Sequence, residues 1–211
     1  MINSASEIRS AARKALSGHW AEAAMLTFIY CLVAWAFSAI VGGLEHVQVG
    51  LGTLASLLLL PLGWGYAVLF LSNARGTEDP FNASRLFDGY KDFSRIFTTI
   101  LLMQVYTVLW TLLLIIPGII KALSYSMTSF VLYDNPEMKN NEAIELSMKM
   151  MDGHKMDLLW LYLTFIGWGF LCILSLGIGY FWLAPYMQTS MAQFYEEVKA
   201  EYEQYDPKRE R

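Results

Sequence analysis

Charge is what this chain has least of. Only 16% of its residues are Asp, Glu, Lys or Arg, against about 25% in soluble globular domains. The charges are also clustered, which leaves long apolar runs without any. A net charge of −4 with no basic face or stripe excludes nucleic acid as a partner. Cysteine is nearly absent: Cys31 and Cys172 each lie inside an apolar run, without C-x-x-C spacing, and read as small buried hydrophobes. The three histidines, His19, His46 and His154, are scattered, so no metal centre is expected, and no cofactor. There is no H-E-x-x-H, G-x-S-x-G, Walker loop or G-x-G-x-x-G. No apolar run holds paired carboxylates that could act together as acid and base. The chain is therefore expected not to be an enzyme. A cleavable leader is not expected either. Residues 1–19 are polar, and the apolar run that follows, Ala21–Val41, exceeds a signal-peptide core of roughly 7–15 residues.

Apolar residues are abundant instead, at 55%, and they fall into successive runs. Ala21–Val41 is long enough to cross a hydrocarbon core about 30 Å thick, and Gly42-Gly43 ends it. Leu51–Leu71 contains Pro61-Leu62-Gly63-Trp64-Gly65, where the missing backbone donor of proline predicts a kink or break. Ile96–Ile116 leads to a turn at Pro117-Gly118. The arm after it, Ile119–Tyr133, is short against the roughly 20 residues a crossing needs. Its hydroxyl residues suit close helix packing rather than lipid. Leu158–Leu176 and Tyr180–Tyr195 are separated by Gly177-Ile178-Gly179. Between the runs lie polar segments. Ser4–Glu7 carries a capping-box pattern before the weakly amphipathic basic stretch 4–17, which can lie on a membrane surface or pack on the protein itself. Asn135-Pro136 predicts a helix start, Glu142–Met151 is amphipathic, and the tail from Glu196 continues the last helix toward Asp206-Pro207.

Orientation follows from the basic residues. The N-terminus, Asn73–Arg95, Asp134–Asp157 and the tail hold three, four, three and four of the 15 Lys and Arg, leaving Lys121 alone on the other side. The Lys/Arg bias of short loops sets orientation, so both termini are expected in the cytoplasm, with six spans provided the short arm crosses. Trp20 and Trp160 fall at the span edges, as interfacial aromatics do, whereas Tyr66, Trp110 and Trp168 are expected to pack internally.

Three corners look alike: Ser17-Gly18-His19-Trp20, Asp88-Gly89-Tyr90-Lys91 and Asp152-Gly153-His154-Lys155. Each precedes an apolar run that is later interrupted by Gly or Pro, and Leu62–Tyr66 and Leu176–Tyr180 share the pattern LGxGY. The expected fold is all-α: a polytopic membrane helix bundle of about six spans, arranged as three helical hairpins with short amphipathic cytoplasmic helices. Residues 1–211 form one integral membrane domain, with pseudo-repeats at about 4–75, 78–133 and 137–198 and a tail at 199–211. Repeats of two spans share one orientation, which excludes an inverted-repeat design.

No constellation names a reaction or a substrate. Ion-coupled carriers place ionisable groups within the bilayer, and these runs hold none beyond edge-placed Glu22 and Lys121. Gln104, Tyr106, Thr107, Ser124, Thr128 and Ser129 could line a cavity, which keeps an uncoupled small-molecule carrier or channel as the alternative. The favoured reading is a non-catalytic module that binds membrane lipids or a protein partner at the cytoplasmic face, with Lys14, Lys91 and Lys155 as a shared platform. The candidate contacts are Ser124, Thr128 and Asp134 on the polar arm, Asp152, His154 and Lys155 at the last corner, and Lys91.

Several stretches together resemble one family. They are RGTEDPFNASRLFDGYKDF (75–93), IIPGIIKALSYSMTSFVLYDNPE (115–137), EAIELSMKMMDGHK (142–155), FIGWGFL (165–171) and APYMQTSMAQFY (184–195). In this order they resemble the bacterial membrane family catalogued as domain of unknown function 975, over nearly the whole chain. The resemblance implies a multi-pass protein of the bacterial cytoplasmic (inner) membrane. It carries no established activity and no catalytic residues to transfer.

Overall fold

The structure is a computed structural model that describes residues 2–45, 55–77, 79–138 and 140–205. Among these residues it is all-helical, without a strand. The helices are α1 (Ala5–Ala15), α2 (Trp20–Glu45), α3 (Leu60–Ala74), α4 (Phe93–Leu113), α5 (Ile115–Tyr125), α6 (Thr128–Asp134), α7 (Asn141–Met150), α8 (Lys155–Leu174) and α9 (Tyr180–Tyr205). Two 3₁₀ segments, Leu57–Leu59 and Ala83–Tyr90, join them. Five stretches are long and apolar enough to cross a membrane: Trp20–Gly42, Leu57–Ala74, Phe93–Leu113, Ile115–Asp134 and Lys155–Leu174. α9 is not one of them, because its apolar first half continues into a charged second half.

The helices divide into a central and an outer set. α3, α5–α6 and α9 are central: α3 packs on both α9 and α6, and the Phe130 and Tyr195 rings meet at 5.1 Å between α6 and α9. α2, α4 and α8 lie outside, each with only 17% of its apolar window buried. The contacts follow a cyclic order. α2 packs on α9, α4 on α3, and α8 on α5. The short segments repeat the order: α1 docks on α8 and α9, Ala83–Tyr90 on α2 and α3, and α7 on α4, α5 and α6.

The core sits at one end. Each outer helix buries its first turns, with Ala23 and Leu26 on α2, Ile96 and Ile100 on α4, and Leu158 and Leu161 on α8. Farther along, Trp35, Ile40, Leu112, Leu113, Phe170 and Leu174 are exposed. So much contiguous apolar surface is not sustained in water; a bilayer covers it at no such cost. At the buried end α1 turns Ile8, Ala12 and Leu16 inward, so the basic segment packs on the protein itself. Its N-terminus is closed by the expected capping box, and hydrogen bonds from Ser4 hold the Glu7 carboxyl below its usual range.

Three local expectations are corrected, whereas the break expected at Pro61 is present: the 3₁₀ segment Leu57–Leu59 precedes it, and Pro61 occupies the first turn of the new helix α3, where its missing N–H has no intrahelical partner to lose. Gly42-Gly43 does not end α2, which runs to Glu45, because an apolar helix satisfies its backbone internally whatever its side chains. The turn after α4 falls at extended Leu114, not at Pro117-Gly118. The returning arm is therefore the 20-residue stretch Ile115–Asp134, broken only at Ser126-Met127. Pro117 is the third residue of α5, again among the free N–H groups, and Gly118 lets the hairpin close against Thr111. Finally, Asn135-Pro136 starts no helix. α7 begins at Asn141, since the Arg95 guanidinium donates to the carbonyls of Leu132 and Met138 and ends α6 there. His46 and the start of the second apolar run, 51–54, lie outside the described residues, as does the tail from 206.

The LGxGY pattern takes two unrelated forms. Leu62–Tyr66 lies inside α3, with Gly65 pressed on the Leu86 carbonyl. Leu176–Tyr180 forms the α8–α9 turn, where Leu176 and Gly177 have φ of 54° and 87°. The corners behave differently again. Gly18 and Gly153 both have φ +89°, and matching hydrogen bonds surround them: His19 N to Leu16 O and His154 N to Met151 O. In the middle corner Gly89 is buried against the Pro61 carbonyl instead.

Candidate binding sites at the charged end

Three central helices meet at one carboxylate. Asp134, the last residue of α6, accepts from Arg75 Nη1 and Nη2 at 2.7 Å each, from Lys199 Nζ at 2.6 Å and from Tyr195 Oη at 2.8 Å. Its side chain is 9% exposed. Arg75 follows α3, and Tyr195 and Lys199 belong to α9, so one residue fastens α3, α6 and α9 together. Arg75 also donates from Nε to Glu196 at 2.9 Å. Hydrogen bonding to Asp134, opposed by burial, raises its pKa further, so it stays cationic at any working pH. A bidentate Arg–carboxylate pair fixes geometry as well as charge.

The sequence carried a signal for this cluster that the corner comparison missed. Tyr66, Tyr125 and Tyr186 each stand nine residues before Arg75, Asp134 and Tyr195, the three groups that meet. In the same register Thr128-Ser129 matches Thr189-Ser190. The hydroxyls of Thr128 and Thr189, and the Nδ2 of Asn73 just before Arg75, are buried without a hydrogen-bond partner among the described residues.

A second feature gathers other sequence candidates. Ser124, Asp152 and Lys155 line one recess of about 360 Å³ together with Lys121, Glu145 and Lys149. α7 holds it in place, because Ser147 Oγ donates to the Ser124 carbonyl at 2.9 Å. Lys155 is paired with Asp152 at 3.2 Å. Lys121 lies 5.2 Å from the Trp110 ring; neither it nor Lys149 has an ion-pair partner among the described residues. Lys121, expected alone on the far side, thus opens into the same recess as the Asp152–Lys155 corner.

The remaining candidates are dispersed. His154 sits between Asp157 at 3.5 Å and Glu201 at 3.7 Å. Lys91 pairs with Asp88 at 2.7 Å and is 81% exposed, while Lys14 lines a different recess with His19 and Asn73. The structure therefore does not bring Lys14, Lys91 and Lys155 onto one platform. Of the polar residues considered for a cavity, Gln104 and Thr107 line a shallow recess between α4 and α5, and Tyr106 Oη donates to Asn141 at 3.1 Å. Tyr66 is buried and bonded to Thr27, whereas Trp110 and Trp168 are half-exposed. No group of three or more His, Cys, Asp or Glu able to hold a metal occurs among the described residues.

Among the described residues the chain is all-helical, with five stretches long and apolar enough to cross a membrane, a build compatible with a membrane protein. The family model described as "Protein of unknown function (DUF975)" matches residues 1–124 and 111–202, and the chain belongs to that family. No curated protein and no solved structure gives a significant match.

Proposed function

We propose that the chain is a non-catalytic, lipid-binding module of the bacterial cytoplasmic membrane, and that the Lys121–Lys149–Lys155 recess takes the anionic headgroup of a lipid. The observation that carries this reading is the pair of ammonium groups without an ion-pair partner among the described residues, Lys121 and Lys149, in a recess between α5, the first part of the membrane-length stretch Ile115–Asp134, and the short α7. Cations at that level are attracted to anionic lipid, each by about 1 kcal/mol. Six crossings with both termini cytoplasmic complete the reading. It is supported by the return of the chain through α9 and by the gathering of basic residues at one end. The cyclic contacts and the Tyr66/Tyr125/Tyr186 register support three related units, 4–75, 78–133 and 137–198.

Native mass spectrometry of the protein in phosphatidylglycerol–phosphatidylcholine mixtures tests the site. One retained phosphatidylglycerol, lost in the Lys121→Gln/Lys149→Gln variant, is expected. Equal retention by that variant overturns the assignment. A C-terminal green fluorescent protein fusion should fluoresce; a dark, membrane-inserted fusion overturns the six-span count.

The unpartnered Asn73, Thr128 and Thr189 groups on the central helices favour a second reading, an uncoupled carrier for a small polar solute. Solute efflux from proteoliposomes no faster than from empty liposomes removes it.

A further inference from the structure

A groove between α1, α8 and α9, which shares no lining residue with the lysine recess, has a different chemistry. It is lined by Trp20, Trp168, Leu171, Trp182, Leu183 and Tyr186, with Arg13 at one end and Gly179 at the other. Its volume is about 490 Å³, inside the roughly 300–1,000 Å³ of ordinary ligand sites. The α8 and α9 walls are contributed by half-exposed apolar side chains: Trp168 48%, Leu171 56% and Trp182 51%. On the membrane reading proposed above, these exposed walls open the groove onto the lipid that covers α8. From Gly179 to Tyr186 it follows seven residues of α9, about 10 Å of helix.

Its polar end is specific. Arg13 is in the last turn of α1, and α1 is held down by Ile8, Ala12 and Leu16. The Tyr186 hydroxyl donates to the Arg9 carbonyl at 3.3 Å, fastening the groove wall to that helix. Trp20 stacks obliquely on Tyr186 at 6.2 Å, and Phe165 and Trp168 meet the same ring edge-on, so the apolar wall is preformed. Arg13 has no ion-pair partner among the described residues. An exposed guanidinium without an ion-pair partner among the described residues, carried on a packed helix at the end of a tryptophan-lined groove, offers hydrogen-bond donors for a phosphate above an acyl-chain slot.

We infer that this groove binds one anionic phospholipid, with an acyl chain along Trp168, Leu171 and Trp182 and the phosphate on Arg13. The inference extends the lipid-binding reading to a second site and does not depend on the lysine recess. The three groove tryptophans supply the readout. The full chain is placed in phosphatidylcholine nanodiscs containing a few mole per cent of phosphatidylglycerol brominated on its acyl chains, and tryptophan fluorescence is followed. Saturable quenching is expected, several-fold stronger than with brominated phosphatidylcholine at the same fraction. In the Lys121→Gln/Lys149→Gln background, which removes the recess beside Trp110, the preference should persist, and adding Arg13→Gln should bring the two lipids level. Trp168→Phe/Trp182→Phe should remove the saturable component without removing binding.

Equal quenching by both brominated lipids in the unaltered protein means ordinary boundary contact and overturns the groove. A preference abolished by the lysine pair but untouched by Arg13→Gln also overturns it, and leaves lipid binding at the recess standing. Should Arg13→Gln fail to fold, Arg13→Lys takes its place: it keeps the charge but loses the planar fork, and it should weaken the preference partially. Full retention of the preference by Arg13→Lys together with an undiminished saturable quenching component in the tryptophan pair overturns the assignment.

Discussion

Replacing Asp134 by Asn removes one charge from the point where three central helices converge. Breaking a buried ion pair by deleting one partner costs about 3–5 kcal/mol. Here Asp134 is 9% exposed, but Arg75 and Lys199 are 26% and 29% exposed and can recover part of their hydration. Arg75 also keeps Glu196 at 2.7 Å. Asparagine retains the shape and can accept one of the four hydrogen bonds. The expected loss is therefore about 2–3 kcal/mol. At about 2–4 °C per kcal/mol for a chain of this size, the thermal midpoint in detergent should fall by roughly 5–10 °C. Glu196→Gln is the control: it touches Arg75 from a side chain 34% exposed, and should cost less than about 1 kcal/mol. A double substitution, Arg75→Met with Asp134→Leu, should recover part of the stability lost in either single change, because the two charges it leaves, Glu196 and Lys199, are opposite in sign and partly exposed. If Asp134→Asn melts no earlier than Glu196→Gln, the carboxylate is not what fastens these helices and the reasoning fails.

Three further expectations follow from backbone geometry. Gly18→Ala and Gly153→Ala meet no atom within 4 Å, so each should cost only the strain of a left-handed residue, about 1–2 kcal/mol, and the two losses should agree; unequal melting shifts would separate the corners. Leu176 already bears that strain at φ 54° and is 93% exposed, so Leu176→Gly should raise the melting point by about 0.5–1 kcal/mol in stability, and a lowered midpoint would contradict the turn geometry. Gly65→Ala drives a methyl into the Leu86 carbonyl and should cost about 1–3 kcal/mol; a neutral outcome would mean that the 3₁₀ segment Ala83–Tyr90 does not dock on α3 as described.

Helical class, membrane-length runs and charge segregation were legible in the sequence because they depend on composition and on spacing along one segment. The capping box at Ser4–Glu7 and the Gly18 and Gly153 corners are equally local, set by hydrogen bonds within a few residues, and the sequence alone determined them. Other features required knowing what lies across a helix interface. Pro61 and Pro117 look like interruptions in a linear apolar run, yet whether a proline breaks or begins a helix depends on where the preceding turn ends. The two LGxGY segments show the same limit, since one is a packing surface for Leu86 and the other a reversal of chain direction. The candidate contacts were split for a related reason. Ser124, Asp152 and Lys155 share a recess only because Ser147 anchors α7 beside α5. Asp134 was drawn away by Arg75 and Tyr195 from distant parts of the chain. Lys121 shows the limit of loop counting, because its long side chain opens at a level that the helix ends do not specify. Sequence thus fixed what each segment is made of and where its apolar face runs. Only the tertiary structure decided which faces meet, because charge pairing and close glycine contacts act across space between residues far apart in the chain.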